Sequence, residues 1–137
     1  FKKYPSELRI FIKKTNFLAI TKKNNQNYYI GSNGNFIISK NNSGNLPFIF
    51  GDVKTEEFLK FKSHIDRSKF DFDQIENLFF FKSKRWNIET KNGIIVKLPL
   101  NDLDLSLETL SKIINEEQFK NVKVIDLRNF GTIITND

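Results

Sequence analysis

The sequence predicts an α+β fold: a mostly antiparallel β-sheet with two helices packed on one face. Three observations carry that expectation. Short apolar stretches of strand character recur along the chain, two segments switch to a helical period, and two Asn-Gly pairs sit between apolar runs. The chain has 137 residues, 39% hydrophobic and 28% charged, which is one compact domain with room for a fragment of a second. Its 15 Phe and one Trp exclude a solvated tail. No apolar run reaches the ~18 residues that a spanning helix needs.

Ser6 to Lys14 alternates: Leu8, Ile10 and Ile12 share one side with Arg9, Phe11 and Lys13 on the other, which suits a half-buried strand after Pro5. Phe17 to Ile20 is a short apolar run and a second strand. Tyr28-Tyr29-Ile30 and Phe36-Ile37-Ile38 flank Asn33-Gly34 and read as a hairpin. Lys40 to Asn45 is polar and reads as a loop. From Thr55 to Asp66 the period changes: Phe58, Phe61 and Ile65 form one helical face, with Thr55 as cap and Glu56 and Glu57 in the first turn.

Ile75 to Phe81 returns to strand character. Arg85 to Thr90 and Ile94 to Leu98 make a second hairpin around Asn92-Gly93. Leu103, Leu107, Leu110 and Ile114 predict a helix from about Leu103 to Glu117, capped by Asp102, Asp104 or Ser106. Val122 to Leu127 and Thr132 to Thr135 are the last two strands, separated at Gly131.

Composition narrows the chemistry. Without Cys there are no disulfides, thiol nucleophiles or thiolate metal sites. The chain lacks Met and opens at Phe1, so the expectation is a fragment whose natural start lies upstream. The single histidine, His64, lies off the centre of its helix's apolar stripe and reads as a surface residue. Asp71, Asp73 and Glu76 lack the glycine and terminal glutamate of a calcium loop. No nucleotide-binding or hydrolase motif occurs. The expectation is therefore no catalytic residue, no metal and no cofactor.

The charge has a location. Residues 1–40 hold eight basic residues against one acid, a net +7, and the other 97 hold fourteen against fifteen, a net −1. Lys13-Lys14 and Lys22-Lys23 among aromatics leave an alternative reading open, a basic domain binding single-stranded nucleic acid or an anionic surface.

Three segments resemble a known family. Tyr4-Pro5-Ser6-Glu7-Leu8-Arg9-Ile10-Phe11-Ile12-Lys13, running to Leu18-Ala19-Ile20, is similar to the stretch joining the POTRA and β domains of FtsQ/DivIB cell-division proteins. Tyr29-Ile30-Gly31-Ser32-Asn33-Gly34-Asn35-Phe36-Ile37, followed by Leu46-Pro47-Phe48-Ile49-Phe50-Gly51, resembles that family's hairpin and its later Leu-Pro step. Arg85-Trp86, Asn92-Gly93, Leu98, the second helix and Val124-Ile125-Asp126-Leu127-Arg128 closing on Gly131 resemble its hydrophobic-Asp-Leu-Arg ending. Phe17 stands where the family usually has Pro, and Asn129 where an aromatic is common.

The resemblance implies residues 1–20 as the last strand of a truncated POTRA domain with its linker, and residues 21–137 as the β domain. It implies a non-catalytic divisome scaffold, single-pass in the bacterial inner membrane through an upstream helix, with this fragment on the periplasmic side. The implied partners are FtsB/FtsL-like division proteins, with no small-molecule substrate and no nucleic acid. They would dock by strand addition along Arg128, Asn129, Phe130, Gly131, Thr132, Ile133 and Ile134, with Phe130 as apolar anchor. Lys84 and Arg85 match a basic site that pairs with an acidic partner side chain.

Overall fold

A computed structural model describes residues 16–38, 46–129 and 133–136. Nine strands form one sheet: β1 (Phe17–Lys23), β2 (Gln26–Gly31), β3 (Phe36–Ile38), β4 (Phe48–Phe50), β5 (Ile75–Phe80), β6 (Trp86–Thr90), β7 (Ile95–Lys97), β8 (Val124–Asp126) and β9 (Ile134–Asn136). Helix α1 (Thr55–Arg67) joins β4 to β5, and α2 (Leu103–Ile113) joins β7 to β8. The spatial order is β3-β2-β1-β4-β5-β6-β7-β8-β9. Five neighbouring pairs are antiparallel and three are parallel, so the sheet is mixed within the expected α+β class. The strand expected over Ser6 to Lys14 lies outside the described residues, and the boundary expected after Ile20 falls within β1.

The two parallel crossovers decide where the helices go. β4, β5, β7 and β8 all run the same way, and both crossovers step in the same direction across the sheet. Crossovers of this kind are right-handed almost without exception, which puts both helices on one face. Beneath them runs a cross-strand row of Thr21, Ile49, Leu78, Ile88, Val96 and Ile125, none more than 1% exposed. Phe58, Phe61 and Ile65 of α1 and Leu107, Leu110 and Ile113 of α2 close over it. Each fully buried Leu, Ile or Phe contributes about 1.5–3 kcal/mol relative to exposure. Thr21, the polar member of the row, donates its hydroxyl to the Ile49 carbonyl at 3.2 Å. Trp86 packs in the core, its ring stacked on Phe61 at 4.4 Å and tilted against Phe80 at 4.8 Å.

Local details depart from the sequence reading where backbone chemistry competes with pattern. The α1 cap position is Lys54 and not Thr55; the Glu57 carboxylate accepts the Lys54 N–H at 3.3 Å. The α2 cap position is Asp102, in a left-handed conformation with no side-chain cap bond. That helix stops at Ile113, short of Glu117, and a 3-10 turn follows over Glu117–Phe119. Within each Asn-Gly turn only the glycine has positive φ (Gly34 and Gly93), whereas Asn24 and Asn25 are both left-handed in the β1–β2 turn. Strand β4 carried no periodic signal and was not expected as a strand from pattern.

On the opposite face, register partners align Ile37, Tyr29, Ile20, Phe48, Asn77, Glu89, Ile95 and Val124 in one row. A second row runs Phe50, Phe79, Asn87, Lys97, Asp126 and Ile134. Phe50 is 45% exposed there and stacks on Phe79 at 5.1 Å, so not every aromatic belongs to the core.

Gly51 ends β4 at φ +113, and a Cβ there would overlap the Phe80 carbonyl oxygen and lie 3.1 Å from its carbon. Gly93, at φ +86, faces open space. Gly51→Ala is therefore expected to cost about 3 kcal/mol or more, through both clash and strain, and Gly93→Ala about 1 kcal/mol through strain alone. Urea unfolding of the two variants beside the parent measures the difference, and equal costs would contradict the close approach at Phe80.

Candidate partner-binding site

The sheet ends at β3 on one side and at β9 on the other. β9 pairs with β8 through Val124↔Asn136, Ile125↔Thr135 and Asp126↔Ile134, and its outer side meets no strand among the described residues. An outer strand presents a row of N–H and C=O groups without ladder partners. Ile133 and Ile134 are 42% and 46% exposed beside it. Asn129 is exposed; Phe130, Gly131 and Thr132 lie outside the described residues.

At the start of this segment Arg128 grips Asp126. Arg128 Nη2 lies 2.7 Å from Asp126 Oδ2, and Nε lies 2.9 and 3.1 Å from Oδ1 and Oδ2. The Arg128 main-chain N–H also donates to Oδ1 at 3.0 Å. The Arg128 side-chain bonds, against the opposing effect of burial, hold the Asp126 carboxyl below its usual range, with help from the Arg128 N–H and charge and from Lys97. The same carboxylate raises the Arg128 guanidinium above its ordinary value.

The pair Lys84 and Arg85 divides between the two sides of the sheet. Arg85 donates to Asn87 Oδ1 and to the Leu98 carbonyl, both at 2.9 Å, and its guanidinium lies 4.9 Å from the Phe81 ring centre. Burial, then repulsion from Arg128, lowers its pKa, while Asp126 opposes the shift. Arg85 thus belongs with Arg128 and the β8 corner. Lys84, left-handed at φ 71, turns toward the helices and lies 4.0 Å from Glu57. It borders a cleft of about 480 Å³ walled by Phe61, Phe80, Trp86 and Leu100.

His64 does not stand alone on the surface. Its Nδ1 is 2.7 Å from Asp104 Oδ1 and 2.7 Å from Arg67 Nη2, bridging α1 to the first turn of α2. The His64 hydrogen bond leads the causes that lower the Asp104 carboxyl. Of the basic doublet on β1, Lys22 is exposed, and Lys23 places its ammonium 4.2 Å from the centre of the Phe36 ring.

Comparison with known proteins fits this geometry to a family. The family profile described as "Cell division protein FtsQ/DivIB, C-terminal" matches residues 19–128. The chain belongs to the FtsQ/DivIB family. Among solved structures it is similar to the major extracytoplasmic domain of the trans isomer of the cell-division protein DivIB from Geobacillus stearothermophilus. That likeness has a TM-score of 0.51 at 9% identity, covers 77% of this chain and 100% of the other, and speaks for the fold alone. No curated protein sequence matches the chain. Family membership makes this a domain of a bacterial cell-division protein of scaffold type.

Asp126 is the member of the site that sequence reasoning left out. The signal was present: Asp126 ends β8 and Arg128 follows two residues later, the spacing at which an aspartate side chain accepts from the backbone N–H two residues on, as it does here. Because its folded pKa is lowered, Asp126 stabilises the fold above the unfolded carboxylate pKa of about 3.9, and that stabilisation is lost as pH falls through the folded value. Asp126→Asn should therefore cost about 1 kcal/mol at pH 7, and the difference from the parent should vanish in strong acid. Denaturant titrations at both pH values check it; a difference that persists in acid would place the cost outside the ion pair.

Proposed function

We propose that the domain is a non-catalytic assembly module whose β9 edge receives an extended segment of an FtsB/FtsL-like division protein as a further strand. The observation that carries this reading is the last strand itself, with no outer neighbour among the described residues and two exposed isoleucines, Ile133 and Ile134, beside it. Main-chain hydrogen bonds supply affinity in such a mode, and alternate side chains supply register. Arg128, Asn129, Phe130, Gly131, Thr132, Ile133 and Ile134 would line the added strand, and Arg85 would stand by for an acid.

In this reading the chain from β1 onward is the partner-binding β domain, and the residues before it lead in from a POTRA domain. The whole protein would be single-pass in the inner membrane, with this part on the periplasmic side. Among the described residues no helix is long and apolar enough to cross a membrane. In this reading the anchor is an upstream helix.

Ile133→Asp and Ile133→Lys change an exposed side chain outside the β8–β9 register pairs, so stability should move by no more than about 0.5 kcal/mol. Binding of the FtsB/FtsL-like partner, followed by calorimetry with the parent as reference, should fall at least about tenfold, since a charge is driven into the new ladder. Undiminished binding by both variants would remove strand addition at this edge.

A further inference from the structure

The corner where β8 ends gathers three cations around one carboxylate. Arg128 grips Asp126 with Nε and Nη2, Lys97 is the register partner of Asp126 on β7, and Arg85 is close enough for Arg128 to repel it and Asp126 to attract it. Solvent reaches the two partners unequally: the Asp126 side chain is 13% exposed and that of Arg128 44%. The carboxylate is mostly covered, while the guanidinium that it holds can be approached from outside.

We propose that Asp126 is an internal competitor, occupying Arg128 in the free domain until an acidic side chain of an incoming strand takes over the guanidinium. The inference rests on the strand-addition reading and adds a selection rule to it: the edge favours segments with an acid at this corner.

Two features make the exchange feasible. Three cations against one acid leave the corner with an excess positive charge, so a second carboxylate is attracted before any bond is exchanged. Asp126 is also not orphaned when Arg128 leaves, because the Arg128 main-chain N–H still donates to Oδ1 and Lys97 remains its neighbour. A strand added beyond β9 would lie two spacings from β8, about 10 Å, a gap that an arginine and a glutamate bridge together.

The opposite role, Asp126 presenting Arg128 to the partner, gives the opposite sign and can be told apart. Asp126→Asn keeps an oxygen for the Arg128 N–H and deletes the charge; Asp126→Ser does the same with a shorter acceptor. The probes are short Thr/Val strand peptides with a single Glu moved along the sequence, each beside its Gln counterpart.

Both variants should tighten the best Glu peptide by about fivefold to tenfold and leave its Gln counterpart unchanged. Weaker binding of the Glu peptide would make Asp126 a positioning residue, and unchanged binding would mean that Arg128 meets no acid; either overturns the proposal. If the parent domain binds neither Glu nor Gln peptides, strand addition itself fails and the inference falls with it. Gln peptides bound equally well by parent and variants, without a gain for Glu, would overturn the role of Asp126 alone.

Discussion

Everything else in the domain depends on the burial of two helices against a single face of the sheet. The row from Thr21 to Ile125 is sealed because α1 and α2 lie side by side over it, and they do so because both crossovers join parallel strands in the same sense. Phe58 and Phe61 against Trp86, with Leu107 and Leu110 completing the cover, hold the layers together. With the helical cover all on one side, the other face is left to rows that mix apolar side chains, Phe50 and Phe79 among them, with Asn77, Glu89, Asn87, Lys97 and Asp126. The outer side of β9, with no neighbouring strand among the described residues and proposed here as the partner-binding edge, is thus a by-product of how the core is closed.

Much of the element order was legible in the sequence. The 3.6 period of Phe58, Phe61 and Ile65 fixed α1, and Asn92-Gly93 between apolar runs fixed the β6–β7 hairpin. Strand β4 escaped because Phe48-Ile49-Phe50 is too short to show a period, and its place depends on long-range parallel pairing with β1 and β5. The mixed character of the sheet escaped for the same reason, since strand order is a property of contacts distant in sequence. The early stop of α2 reflects a chain that turns at Asn115 although Ile114 keeps the apolar phase.

The site was legible in part. Ile134 falls in a terminal strand, expected over Thr132 to Thr135 and found over Ile134–Asn136, with Ile133 just before it, whereas Arg128 follows β8. Lys84 and Arg85 are neighbours in sequence but face opposite sides of the sheet, Lys84 toward Glu57 and Arg85 toward Asn87, so the basic doublet is divided. Asp126 was overlooked although its spacing from Arg128 announced it. Periodicity tells which face a charged residue occupies, but the balance of charges at a corner requires the neighbouring strands, here β6 and β7, to be in place.

One consequence follows from the position of β9 in the strand order. The described chain enters the sheet at β1, and six strand spacings, about 29 Å, separate that point from β9. At the usual twist of about 20–25° per step, the far strand is also rotated by well over a right angle. A segment added at β9, as proposed, would therefore lie well to one side of the point where the described chain enters the sheet and be turned across its direction. A tether at one end and a partner at the other would thus meet at a fixed offset and angle, set by the count of strands between them.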